Sequence, residues 1–161
     1  MSIRMHVSGL MMDPVTNMPI VVLRDEQSSR TLPIWIGMFE AHAVAMQLEN
    51  SSPSRPMTHD LIGRLIEALE ARVLEVHVTD VQEGTFYAVL YLATNRGDTL
   101  AVDLRPSDAL ALALRTKAPV LVAEHVLEAA STLETPRTQD QDRLQRWLES
   151  LDPEDLGKYK M

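Results

Sequence analysis

Two carboxylates and a guanidinium lie within six consecutive residues, and they are the side chains best suited to chemistry. Apolar residues alternate with Asp103 and Arg105, which predicts that both lie at a strand end on the same face. Pro106 suits the first position of a helix, because its missing N–H leaves no hydrogen bond unmade there. Ser107 and Asp108 then fall in the first helical turn, where free backbone amides and the helix dipole favour negative charge.

This cluster has two interpretations. In the structural one, Asp108 caps the helix and Arg105 pairs with Asp103 or Asp108 as a clamp. In the functional one, the helix start and Arg105 bind a phosphate, while the carboxylates hold a metal or move a proton. Residue types alone favour the structural interpretation, because capping acids and ion pairs are common.

A second polar cluster contains Arg55, Thr58, His59 and Asp60. Thr58 is a good N-cap for a helix over residues 59–70. The structural interpretation makes Asp60 a partner of the helix dipole and leaves His59 solvated. The functional interpretation makes His59 a general acid or base and places Arg55 against a phosphate.

The sequence contains an internal repeat. A shift of 68 residues aligns the apolar positions of residues 31–45 with those of residues 99–113. Each copy reads as three strands followed by a helix. The predicted fold class is therefore α+β, with duplicated β3-α units that form mixed or antiparallel sheets packed with helices. We expect one domain over residues 1–130, and a linker and C-terminal amphipathic helix over residues 131–161.

The repeat bears on the role of the charged residues. Glu40 and Asp108 occupy the same place in the two copies, which indicates helix capping for both. Asp103 and Arg105 correspond instead to a tryptophan and a glycine. That asymmetry favours a function at Asp103 and Arg105.

Periodicity and turn signals predict the remaining elements. The helix that follows Pro106 is apolar on nearly every side and should be buried. The helix after Thr58 has a predicted core stripe of Leu61, Ile62, Leu65, Ile66 and Leu69. Strands are predicted at 3–12, 19–24, 31–36, 73–81, 85–93, 99–104 and 119–122, and further helices at 38–49, 124–130 and 139–151.

Composition limits the function classes. Cysteine is absent, which excludes disulfides and thiolate metal sites, and the net charge of −8 argues against nonspecific coating of nucleic acid. No P-loop, dinucleotide fingerprint, serine triad or zinc spacing occurs, so we expect no organic cofactor. No apolar run is long enough to cross a bilayer and no leader is recognisable. We expect a cytoplasmic protein without a membrane partner.

Four separated motifs resemble the bifunctional nuclease family. They cover residues 32–41, 55–61, 84–88 and 103–109, in the right order. The resemblance implies an α+β fold over about residues 3–130. It also implies cleavage of both DNA and RNA, an activity ascribed to plant members. The matching polar residues are Glu40, Arg55, Thr58, His59, Asp60, Asp103, Arg105, Ser107 and Asp108.

The predicted function is therefore a nuclease with low sequence preference, assisted by Mg²⁺ or another divalent cation. The alternative is a non-catalytic module that binds an anion or a nucleic acid. Asp103 is the best metal ligand, with Asp108 or Glu40 as a possible second, and His59 is the acid or base, oriented by Asp60. The predicted phosphate ligands are Arg55, Arg105, Ser107 and Thr58.

Two further expectations concern assembly. The joint site requires the helix starts at Thr58 and Pro106 to approach each other, within one chain or across a subunit contact. Apolar stripes at Trp35 and over Leu144–Leu151 need cover, which favours a homo-oligomer, most simply a dimer.

Overall fold

The computed structural model describes residues 1–132 and Arg146, and its elements lie close to the predicted ones. Each predicted strand and helix within residues 1–132 is present, with ends that differ by at most two residues. The strands are β1 (Ser2–Met12), β2 (Pro19–Asp25), β3 (Thr31–Trp35), β4 (Arg72–Gln82), β5 (Thr85–Ala93), β6 (Thr99–Leu104) and β7 (Val120–Ala123). The helices are α1 (Met38–Leu48), α2 (Thr58–Ala68), α3 (Pro106–Thr116) and α4 (Glu124–Thr132).

The strands form one mixed sheet in the order β3-β2-β1-β7-β4-β5-β6. Two antiparallel meanders, β1-β2-β3 and β4-β5-β6, lie on either side of β7. β7 runs antiparallel to β1 and parallel to β4. This arrangement confirms the α+β class and gives each half three strands followed by a helix, in one continuous sheet. The origin of the halves by duplication stays a prediction.

Helix α3 lies at the centre of the helical layer. It contacts α1, α2, β4 and β5, and residues 109–113 are all buried. These residues alternate alanine with leucine, so leucines fill the core while alanines let neighbouring helices approach closely. The buried helix predicted after Pro106 is confirmed.

The predicted core stripe of α2 was partly wrong. Ile62 and Ile66 pack against the core, but Leu61, Leu65 and Leu69 are each at least half exposed. The buried side of α2 is set by its contact with α3, and it carries Ile62, Ile66 and the buried His59. Leu61 and Leu65 each precede a packed isoleucine by one residue, and Leu69 lies just beyond the end of α2. Apolar spacing alone does not show which of two adjacent apolar residues faces the core.

Two predictions are not tested by the described residues. The predicted helix 139–151 lies outside the described residues apart from Arg146, and the homodimer stays a prediction. No helix in the described part of the chain has the length and apolar character needed to span a membrane.

Asp13 ties the turn after β1 to the end of β3. Its carboxylate accepts hydrogen bonds from the Trp35 indole at 2.7 Å, the Val15 amide at 2.9 Å and the Thr16 hydroxyl at 2.7 Å. Burial opposes ionisation of Asp13, but the hydrogen bonds from Trp35, Val15 and Thr16 outweigh it and hold its pKa below the usual value.

We expect Asp13→Asn to lower the free energy of unfolding by about 1–3 kcal/mol at neutral pH. Because the folded pKa is depressed, the stabilisation is present above the usual pKa of 3.8 and is lost as the pH falls through the folded value. Urea unfolding of both proteins, followed by tryptophan fluorescence, should show the difference in the free energy of unfolding shrinking at acidic pH. A difference that stays constant with pH would contradict this assignment.

Candidate functional site

The starts of α2 and α3 meet within one chain. His59 Nε2 lies 2.9 Å from Asp108 Oδ1, and His59 is only 8% exposed. The two helix starts therefore approach each other within one chain, as the joint-site prediction required, and the contact joins His59 of one polar cluster to Asp108 of the other.

Arg105 extends this contact to α1. Its Nε donates to Asp108 Oδ2 at 3.0 Å, and its Nη2 donates to Glu40 Oε1 at 2.7 Å. We call His59, Asp108, Arg105 and Glu40 the polar chain. The hydrogen bonds to Asp108 and to Glu40 raise the pKa of the Arg105 guanidinium further above its usual value. The cation is therefore permanently charged and held at two points, while its side chain remains largely exposed.

The capping predictions were wrong for all three helices. Gly37 and Arg105 are the N-caps of α1 and α3, and neither helix start has a side-chain cap. Glu40 and Asp108 lie three residues further on, and both bind Arg105. Thr58 is not a cap either, because α2 has Met57 as its N-cap.

The contact with Asp108 determines the chemistry open to His59. An ionised carboxylate can only accept hydrogen bonds, so Nε2 carries the proton that points at Asp108. Nδ1 of a neutral ring then has the free lone pair. Within the described residues Nδ1 has no hydrogen-bond partner, and it is not among the fully buried unpartnered atoms. In this tautomer Nδ1 is the nitrogen of His59 that can take up a proton.

Asp60 does not orient His59, which corrects that prediction. Its carboxylate accepts from the Met57 amide at 2.9 Å and from Arg115 Nε at 2.7 Å. Burial raises the pKa of Asp60, but the Met57 amide and Arg115 outweigh it and hold that pKa below the usual value. Because Arg115 belongs to the end of α3, this ion pair fixes α2 against α3 and so positions His59.

An apolar groove of about 540 Å³ runs beside the polar chain. Thr58, Val102 and Leu104 contribute to its lining, together with Glu40, His59, Arg105 and Asp108. Phe39 stands at the groove and is 89% exposed. A ligand in this groove would meet the guanidinium, the imidazole and an apolar wall together.

The structure separates Asp103 from the rest of the predicted site. Val102 and Leu104 line the apolar groove, so Asp103 between them points to the opposite face of β6. Asp103 and Arg105 therefore do not share a face, which corrects that prediction. Ser107 is buried at the start of α3 and lines neither groove.

Of the predicted metal ligands, Asp108 and Glu40 come together around Arg105, and Asp103 does not join them. Residues 1–132 and Arg146 contain no group of three or more side chains suited to a metal ion. Both oxygens of Asp108 already accept hydrogen bonds from nitrogen donors, and Arg105 stands between Asp108 and Glu40 where a cation would have to sit. The arrangement around Asp108 does not fit a divalent cation.

A second groove, of about 600 Å³, lies on the other side of His59. It contains the predicted phosphate ligand Arg55 and four cations that sequence reasoning missed: Arg64, Arg72, Arg115 and Lys117. We call it the basic groove. These residues come from a loop, from α2, from β4 and from the end of α3, so no local sequence motif predicts that they lie together. His59 lines both grooves.

The amino-acid sequence is similar to those of several known proteins. An uncharacterized protein of Mycobacterium tuberculosis (strain H37Rv) is 38% identical over 161 residues, covering 94% of this chain and 96% of that protein. Bifunctional nuclease 1 of Oryza sativa subsp. indica is 28% identical over 116 residues, which cover 71% of this chain and 35% of that protein. Bifunctional nuclease 2 of Arabidopsis thaliana is 27% identical over 109 residues, with coverage of 66% and 33%. The chain thus spans about a third of these plant relatives.

A family model described as the bifunctional nuclease domain matches residues 21–135. The match spans more than half of the chain and includes every residue of the polar chain. It agrees with the resemblance carried by the four sequence motifs. The chain therefore belongs to the bifunctional nuclease domain family.

Proposed function

We propose that this protein is a phosphodiesterase that hydrolyses DNA and RNA with low sequence preference, and that the polar chain is its active site. The observation that carries the proposal is the linkage of His59, Asp108, Arg105 and Glu40. It offers a base and a fixed cation in one place, and phosphodiester hydrolysis needs both. The plant relatives named as bifunctional nucleases support the choice of reaction.

The nucleophile in this proposal is water. DNA has no 2′-hydroxyl, so one site that cleaves both polymers cannot depend on attack by that group. His59 Nδ1 takes a proton from the water as the water oxygen bonds to phosphorus. The P–O bond to the leaving nucleoside oxygen breaks, and solvent water gives that oxygen its proton. Asp108 stabilises the imidazolium that results, in the way that the carboxylate of a catalytic triad does.

Arg105 supplies charge stabilisation. Its Nε and Nη2 are held by Asp108 and Glu40, and Nη1 has no partner within the described residues. Nη1 can therefore donate to a phosphate oxygen on which negative charge grows in the transition state. Glu40 is a positioning residue in this scheme, because it acts by holding the guanidinium.

Dependence on Mg²⁺ or another divalent cation stays a prediction. The surroundings of Asp108 do not fit a metal, and no step of the proposed reaction passes through one. Digestion with and without a chelator measures the dependence directly.

The decisive experiment is digestion of single-stranded DNA and RNA by the wild type, by Asp108→Asn and by Asp103→Asn. The two variants carry the same chemical change five residues apart, on opposite faces of the chain. We expect Asp108→Asn to lower the rate at least about 10²-fold and Asp103→Asn to leave it unchanged. Equal activity in all three proteins would indicate a contaminating nuclease and overturn the proposed site.

A non-catalytic binding module is the second candidate. The observation in its favour is the basic groove, which presents cations without needing the polar chain. Wild-type protein that binds single-stranded nucleic acid but never cleaves it, with or without added divalent cations, would establish this alternative.

Gly37 provides a test of the positioning role of Glu40. Its φ of −72° suits any residue, but a Cβ there would collide with the Glu40 carboxylate. We expect Gly37→Ala to shift Oε2 of Glu40, to loosen the contact of Oε1 with Arg105, and to lower kcat less than Glu40→Ala does. In a Glu40→Ala background the same substitution should have no further effect, as a double-mutant cycle would measure. Independent, additive effects would show that Gly37 acts elsewhere.

A further inference from the structure

We propose that the basic groove binds the sugar-phosphate backbone of a single-stranded nucleic acid and leads it to His59. The inference rests on the proposed function and adds the path by which the substrate reaches the site. It starts from the contrast between this groove and the whole chain. The chain has a net charge of −8, yet the groove is lined by five cationic and two acidic side chains.

Four of the five cations are available to a ligand. Arg55, Arg64, Arg72 and Lys117 are exposed, and none forms an ion pair within the described residues. Arg115 is the fifth, and it is taken up by Asp60 and by the backbone carbonyl of Ala111. No salt bridge within the described residues holds these four side chains, so each can turn its charge towards a phosphate.

The lining also indicates how the ligand is recognised. The groove is lined by no phenylalanine, tyrosine or tryptophan, so it lacks the aromatic side chains on which successive bases of a single strand usually stack. Serine hydroxyls and prolines of the loop 51–56 form one side. Binding through charge and hydroxyl groups reads the backbone, which predicts little preference for base sequence.

The position of His59 favours a single strand. His59 is 8% exposed and lines both grooves, so a phosphodiester reaches it only by entering the concave surface between them. A single strand can bend into such a groove. A stacked duplex holds its backbone on the outside of a wide helix and meets the groove only at its rim.

The test measures binding with turnover removed. Fluorescence anisotropy of labelled oligo(dT) and of a matched duplex is followed over a range of salt concentrations, in a His59→Gln background. Each phosphate contact to a single strand contributes a slope of about −0.7 to log K against log salt, so four contacts predict about −2.8. We expect Arg64→Ala/Arg72→Ala to weaken binding and to reduce the slope to about −1.4.

Arg96→Ala/Lys117→Ala is the comparison variant. It also removes two cations, but only Lys117 lines the groove, because Arg96 lies in the β5–β6 turn. This pair should change the slope by only about 0.7. An unchanged slope in Arg64→Ala/Arg72→Ala, with the thermal unfolding of the wild type retained, would overturn the proposal. Equal affinity for duplex and single strand would also overturn it. Binding with these properties in a protein without nuclease activity would preserve the groove and refute the proposed reaction.

Discussion

His59→Ala is expected to lower kcat by about 10²–10⁴-fold and to leave KM nearly unchanged. The imidazole moves a proton in the transition state and makes little contribution to ground-state binding in the proposed scheme. Turnover of single-stranded DNA and of RNA under saturating conditions would measure the effect. The two substrates should lose activity in parallel, because one water-activating base serves both.

Because His59 is buried, a loss of activity in His59→Ala needs a check on folding. His59→Gln provides it, since the amide N–H can still donate to Asp108 while the side chain cannot take up a proton. His6→Ala is the matched control, because His6 is exposed on β1. A folded His59→Gln protein with wild-type turnover would remove His59 from the reaction.

Arg105→Ala is expected to lower kcat/KM by about 10²–10³-fold, with effects on both kcat and KM. The substitution removes the phosphate donor and leaves the carboxylates of Glu40 and Asp108 without their shared cation. Arg105→Lys should restore little of the lost kcat/KM. An ammonium group lacks the planar fork of donors with which a guanidinium binds two carboxylates and a phosphate at once. Steady-state kinetics of the three proteins would measure this.

Structural and catalytic roles of Arg105 give different outcomes. If Arg105 is only a clamp, Arg105→Ala lowers the free energy of unfolding but leaves the kcat of the folded fraction unchanged. Urea unfolding beside the kinetics separates the two effects. The structural interpretation correctly predicted the ion pair of Arg105 with Asp108. Full kcat in Arg105→Ala would show that this ion pair is only a clamp.

Local patterns were sufficient to predict most elements. The 68-residue repeat places α1 and α3 in equivalent frames, and Glu40 and Asp108 fall at equivalent positions in the structure too. The sequence could not predict that one arginine would join them. Arg105 and Glu40 are 65 positions apart, and only the packing of α1 against α3 brings them together.

The errors have physical causes. Asp60 was expected to serve its neighbour His59, but adjacent residues on a helix point in different directions, and the partner of Asp60 is Arg115 on α3. The basic groove was missed for a related reason. Its cations come from four elements, and the negative net charge of the chain conceals a local excess of positive charge.

The central place of β7 has a consequence for how the chain is made. Each meander can assemble from neighbouring strands, but the two sheets become one only when the four-residue strand β7 inserts between β1 and β4. During synthesis, β1 and β4 therefore each keep one unpaired edge until nearly all of residues 1–123 have left the ribosome. Such late, long-range pairing slows folding, and open edges invite association with other chains. We expect chains in which β7 has not yet paired to be the most prone to aggregation, and substitutions in β7 to lower the yield of folded protein more than they lower its final stability.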